Sequence, residues 1–283
     1  MATVKQVKKK ITQMVKQDKK NSDTIDNFYH DALQIVANHI KAFYLQYADD
    51  TGLSLSQVTK QVNSWDKSQF EHAINELMGN MLPDNELDQR LAVAYVEAQG
   101  NRRALMGAII GASMDIATTK TKKFALEELD RQYAEGYNVK QYNHMTKNQV
   151  PQDVKQHDDF QDRLWVHNDL AKSNMQKTLN QALRSELDKG QLKQLLKIIA
   201  QDGVREDRNL ATDLNKALSG VHVLVKDESI LNSNAGYEKA NAENPMPGFD
   251  YGLFCTQEDD NVCKICAPLD RRVFFGVIAQ CQY

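Results

Sequence analysis

Apolar residues recur at three- and four-residue steps along most of this chain, and that spacing commits it to long α-helices with one oily face. The clearest run is Ile25, Phe28, Ala32, Ile35, Val36, Ile40, Phe43 and Tyr47, a single stripe predicting a helix over 25–47 that Ser22 or Asp23 would cap. Only 13 Gly and 5 Pro interrupt 283 residues, so helices have few forced ends. The expected fold is mainly α.

Two shorter helices follow, over about 56–62 and 66–78, with Ser54 and Asp66 as N-caps. Helices over 85–98 and 102–137 continue the array. The second holds the small-residue run Gly107-Ala-Ile-Ile-Gly111-Ala-Ser, read as a site of close helix packing. Arg102, Arg103, Asp115 and Lys120 around it exclude a membrane dimer motif. Gly136 closes the long helix, and 142–152, with Pro151, reads as a linker.

Beyond the linker, Phe160, Leu164, His167, Leu170, Ala171, Met175, Leu179, Leu183 and Leu187 form another stripe, which Lys189-Gly190 should end. Further helices are expected over 192–200, 208–218 and 221–240, before Asn244-Pro-Met-Pro-Gly248 breaks the pattern. Short β-like runs at 251–256 and 272–275 then bracket a Cys-x-x-Cys turn. The organisation expected is a long-helix N-terminal domain over 1–140, a linker over 141–156, and a helical C-terminal domain over 157–283 ending in a small β-hairpin Cys-x-x-Cys module.

The formal charge of -3 argues against a surface that coats nucleic acid everywhere. The first ten residues contain no apolar signal region, and the longest apolar run, 104–114, is too short to span a bilayer. A soluble protein made in a reducing cytoplasm is expected, with no membrane partner.

All four cysteines fall within the last 35 residues, at Cys255, Cys263, Cys266 and Cys281. Such crowding points to one local module. Around them the residues run in order: Lys226-Asp227-Glu228, a Pro/Gly break, an aromatic strand with Phe254, Asp259, Val262-Cys263, Cys266, Leu269-Asp270, a basic pair and Val273-Phe274. This series resembles the head morphogenesis, or minor capsid, proteins of tailed phages, the Mu F-like family. The likeness covers about 160–283. Lys226 stands where that family usually has Arg, Arg271 where it has Gly, and only Ala279-Gln280-Cys281-Gln282-Tyr283 remains of its closing Cys motif.

The resemblance implies a non-enzymatic minor structural protein that joins the procapsid at the portal vertex, assists head assembly and influences DNA retention or ejection. It implies the portal protein as partner, with scaffold or major capsid protein and packaged DNA as further ones. The location would be the host cytoplasm during assembly and the virion afterwards, in the head interior or at the portal vertex. Phe254, Asp259, Asp270 and Glu228 would be structural, with Glu228 hydrogen-bonded toward the cysteine hairpin.

Cys263 and Cys266, with Cys281 third and Cys255 fourth, offer the four sulfurs a tetrahedral Zn²⁺ site wants. Reduced structural thiols and a disulfide formed after particle release are the other two fates of the same residues. A thioredoxin-like redox role does not fit, because Pro268 and a second strand follow where a helix should open. Lys226, Asp227 and Glu228 point about 100° apart on a helix and so cannot converge on one substrate. At the other end, Lys5, Lys8, Lys9 and Lys10 belong to a lysine-rich start that is either a solvated face or an arm for DNA phosphates. A free-standing helical DNA-binding protein is therefore the alternative reading.

Overall fold

The computed structural model describes residues 4–79, 81, 84–138, 144–152, 154, 157–184, 186–197, 209–243, 251–253 and 273–275. The described residues are mainly helical: α1 (Val4–Tyr47), α2 (Leu55–Val58), α3 (Ser64–Met78), α4 (Asn85–Glu97), α5 (Arg102–Tyr137), α6 (Asp158–Arg184), α7 (Lys189–Leu195) and α8 (Leu210–Glu243). None of these helices is long and apolar enough to cross a membrane.

The long helices are longer than their apolar stripes alone predict. α1 does not start at Ser22 or Asp23 but runs unbroken from Val4, and within it Thr24 donates its hydroxyl back to the Lys20 carbonyl one turn earlier. α8 joins the two helices expected over 208–218 and 221–240. Gly220 does not break it, since the His167 ring lies against that glycine: a Cβ there would come 2.7 Å from His167 Nδ1.

At α3 the cap is Asn63, whose side chain accepts from the Asp66 amide at 2.9 Å, while Asp66 returns a bond to the Asn63 amide as the third residue of a capping box. α6 stops at Arg184, and Leu187 pairs with Leu53 in an isolated antiparallel bridge. The expected terminator Lys189-Gly190 instead begins α7, capped by Asp188.

Helix directions can be read from paired residues. Tyr29 meets Thr118, Phe28 meets Phe124, and Asp26 meets His222, so α1 runs antiparallel to both α5 and α8. Asp115 with Lys172, Gly107 with Gln176 and Arg103 with Asn180 set α6 antiparallel to α5, as Arg163 with Glu228 and Thr178 with Asp213 set it against α8. The result is a four-helix bundle in which α5 and α8 run parallel and α1 and α6 run the other way. α3 and α4 cover the N-terminal half of α5.

α5 is the centre: Leu105, Met106, Ala108, Ile109, Ile110, Met114 and Ile116 are all sealed from solvent. One apolar core runs from Ile25 to Val225 and takes in Leu53, Leu87, Phe160 and Leu179. That core passes across the boundary expected at 141–156, so helices from both expected domains share it. Within 141–156, Val150 folds back onto Tyr133 and Ala134 of α5 after a 3-10 turn at Lys147–Gln149.

The tightest packing is backbone on backbone. A Cβ on Gly136 would come 2.7 Å from the Ser233 carbonyl carbon, and one on Gly236 would come 2.9 Å from that of Tyr133. Only residues without side chains let α5 and α8 cross this closely. Two short strands, β1 (Tyr251–Leu253) and β2 (Val273–Phe275), pair antiparallel with Tyr251 opposite Phe275. The cysteine-bearing stretch between them lies outside the described residues, as do 276–283.

Candidate functional site

The carboxylate singled out from sequence, Glu228, is buried on α8. Its side chain accepts a hydrogen bond from Arg163 of α6, which also reaches Asp159 one turn earlier at 3.1 Å. His157 precedes α6 in the left-handed backbone region, at φ 44°. Its imidazole is buried, and burial holds its pKa below the usual histidine value against the opposing pull of Asp130 and Glu228. Neutral His157 thus lies 4.0 Å from Asp130 Oδ1 of α5. Glu228, Arg163, His157 and Asp130 join α5, α6 and α8 where α6 begins.

The flanking members of the triplet behave as their angular offset requires. Lys226 and Asp227 face solvent, and Glu228 faces inward. The described bond of Glu228 runs to Arg163; the expected one to the cysteine hairpin falls outside the described residues, as do Phe254, Asp259, Asp270, Cys255, Cys263, Cys266 and Cys281. Among the described residues, no group of three or more His, Cys, Asp or Glu is placed to hold a metal ion. Of the N-terminal lysines, Lys9 is exposed on α1; the side chains of Lys5, Lys8 and Lys10 lie outside the described set.

Sequence reading missed a polar chain through the middle of the bundle. Asp115, fully buried on α5, accepts from Asn168 Nδ2 at 2.6 Å and from Lys172 Nζ at 2.9 Å. That fixes the Asn168 amide, so its Oδ1 must accept from Thr118 Oγ1, at 2.9 Å. Thr118 has then used its only proton, and Tyr29 must donate to it across 2.9 Å.

Burial pushes the Asp115 carboxyl above its ordinary pKa, with Lys172, Asn168 and Arg90 pulling back. It likewise pushes the Tyr29 phenol to about 12. Arg90, 3.7 Å from Asp115, lays its guanidinium 4.0 Å over the buried Trp165 ring and bonds Asp169 at 2.7 Å. Every acid here is engaged, so the chain fixes the register of α1, α5 and α6. The available signal was Asp115 itself, a charge one residue past an apolar run.

The small-residue run has a related purpose. A Cβ on Gly111 would sit 3.4 Å from Lys172 Cε, and one on Gly107 3.7 Å from Gln176 Nε2. The absent side chains let polar α6 groups lie flat across α5 and reach Asp115 and the Gly107 carbonyl. The expected close packing is there, against polar α6 side chains.

The outer surfaces of two helices remain apolar in places. α8 exposes Val223 and Ile230 at 57 and 43 %, on the face turned away from Glu228, and Leu231 beside them at 46 %. α6 exposes Val166 and Leu170, one turn apart. No protein-family model, curated protein or solved structure matches this chain.

Proposed function

We propose that this chain is a minor structural protein of a tailed-phage head that docks on the portal during procapsid assembly and does no catalysis. The observation that carries the reading is the two-faced α8. Its inner face holds the buried Glu228 of the family-like triplet. Its outer face presents Val223 and Ile230, seven residues apart, largely exposed among the described residues. A buried, hydrogen-bonded carboxylate on a rigid helix is a packing device. Exposed apolar side chains along the same helix suit a helical face that meets another protein. The ordered run from Glu228 through Cys263, Cys266 and Asp270 supplies the link to phage heads.

The test is co-purification with portal subunits from assembling heads. Wild-type protein is expected to travel with the portal, and a Val223→Asp/Ile230→Asp variant is expected to lose it while melting at the same temperature. Portal assemblies free of the wild-type protein would overturn the proposal, as would full retention of the variant. Scaffold or major capsid subunits recovered in place of portal would move the docking partner.

A further inference from the structure

We infer that the groove between α5 and the C-terminal half of α6 binds the phosphate backbone of a nucleic acid. Its walls are Arg103 of α5 and Ser173, Gln176, Lys177, Asn180, Gln181 and Arg184 of α6, around about 360 Å³ of open space. Among the described residues all seven lining side chains are polar; three are cations and none is an acid. In a chain of net charge -3 this is a local reversal of sign. Among the described residues, Arg103, Lys177 and Arg184 have no carboxylate within ion-pair distance, in contrast to the neighbouring Arg90 and Lys172.

One cation is already oriented. Arg103 donates from Nε to Asn180 Oδ1 at 2.6 Å, which holds the guanidinium plane at the groove wall and leaves its outer N–H donors for a ligand. Gln176 is anchored in turn to the Gly107 carbonyl at 2.9 Å. Lys177 and Arg184 lie on one face of α6 seven residues apart, about 10 Å along the helix axis. Projected on a duplex axis, where one strand carries a phosphate about every 3.4 Å, that distance corresponds to about three nucleotide steps. The described walls carry no aliphatic or aromatic residue to anchor a peptide side chain. Guanidinium forks with amide and hydroxyl donors fit phosphodiester oxygens, with no reading of sequence.

This inference rests on the phage-head proposal for its biological sense, since packaged DNA is the nucleic acid such a protein would meet. Its test does not. Binding of the purified full-length chain to a short labelled duplex is followed by fluorescence anisotropy across a salt series, with no portal present. Lys177→Gln/Arg184→Gln removes two exposed cations with no described hydrogen bond and should fold as the parent does. The slope of log affinity against log salt is expected to become shallower by about 1.8. A Lys5→Gln/Lys8→Gln/Lys9→Gln/Lys10→Gln variant is expected to keep the groove's share of the slope.

An unchanged slope in the groove variant, with binding abolished in the N-terminal variant, would overturn the assignment. Stronger binding of a polyglutamate peptide than of DNA would overturn it too. So would calorimetric uptake of inorganic phosphate with no affinity for duplex, which would mark a site for free phosphate. The groove variant is expected to co-purify with portal like wild type, so failure of the groove and failure of portal docking read out separately.

Discussion

Replacing Gly136 by Ala tests the closest approach in the fold. The added methyl would sit 2.7 Å from the Ser233 carbonyl carbon and 3.0 Å from its Cα, both of them backbone atoms of a long helix. A carbon–carbon contact relaxes near about 3.5 Å and the Ser233 carbonyl oxygen lies nearer still, so α5 and α8 must part by more than about 1 Å at their crossing. No side chain can rotate away to absorb this. The cost should fall at the upper end for overpacking, about 3 kcal/mol, while the better helix propensity of Ala returns about 1 kcal/mol. The net expectation is a loss of about 2 kcal/mol.

Gly107→Ala is the internal control on the same helix. Its methyl would meet only the Gln176 side chain at 3.7 Å, an ordinary contact, so the propensity gain of up to about 1 kcal/mol should survive. Urea unfolding followed by circular dichroism at equal slope would place the two midpoints on opposite sides of wild type. If Gly136→Ala proves as stable as wild type, the backbone-on-backbone account of the α5–α8 crossing is wrong.

Other expectations follow from the polar chain and the caps. Asp115→Ala leaves Lys172 and Asn168 without their acceptor and should cost about 3 to 5 kcal/mol, whereas Asp115→Leu/Lys172→Met should recover much of it; a double-mutant cycle by urea unfolding checks both. Burial raises the Tyr29 phenol from 10.0 to about 12, so the folded state keeps that proton longer than the unfolded state. Its contribution is full below pH 10 and declines as pH rises toward 12, by about 2 to 3 kcal/mol, and the wild-type minus Tyr29→Phe difference in stability should shrink over that window. Asn63→Ala removes the α3 cap and should cost about 1 kcal/mol in the same unfolding assay.

The helices were legible where period and breaker agreed. α5 spans the expected 102–137, because its stripe is continuous; its cap, Asn101, went unread. α1 and α8 were read too short, since a stripe reports only the buried face and says nothing of helix continuing through polar residues. Asp66 was read as a cap one capping box too late: Asn63 and Asp66 are both cap formers, and only the bond from the Asp66 amide to Asn63 decides between them. Gly190 invited a stop signal, yet Asp188 beside it made a start.

At the candidate site, the burial of Glu228 against solvent-facing Lys226 and Asp227 was implicit in their angular spacing. Its pairing with Arg163, 65 residues earlier, was not, because nothing local encodes which α6 side chain the antiparallel docking brings alongside. The Asp115 chain was hidden for the same reason. Each member is an ordinary polar residue until three helices align.

Because α1 opposes α5 and α8 in direction, the lysine-bearing beginning of α1 and the end of α8 that leads toward the cysteines share one pole of the bundle. The Arg103 groove belongs to the opposite pole, roughly 50 Å away along a 36-residue rod. A rod so built has a top and a bottom, and a neighbour gripping either end dictates where the other end points.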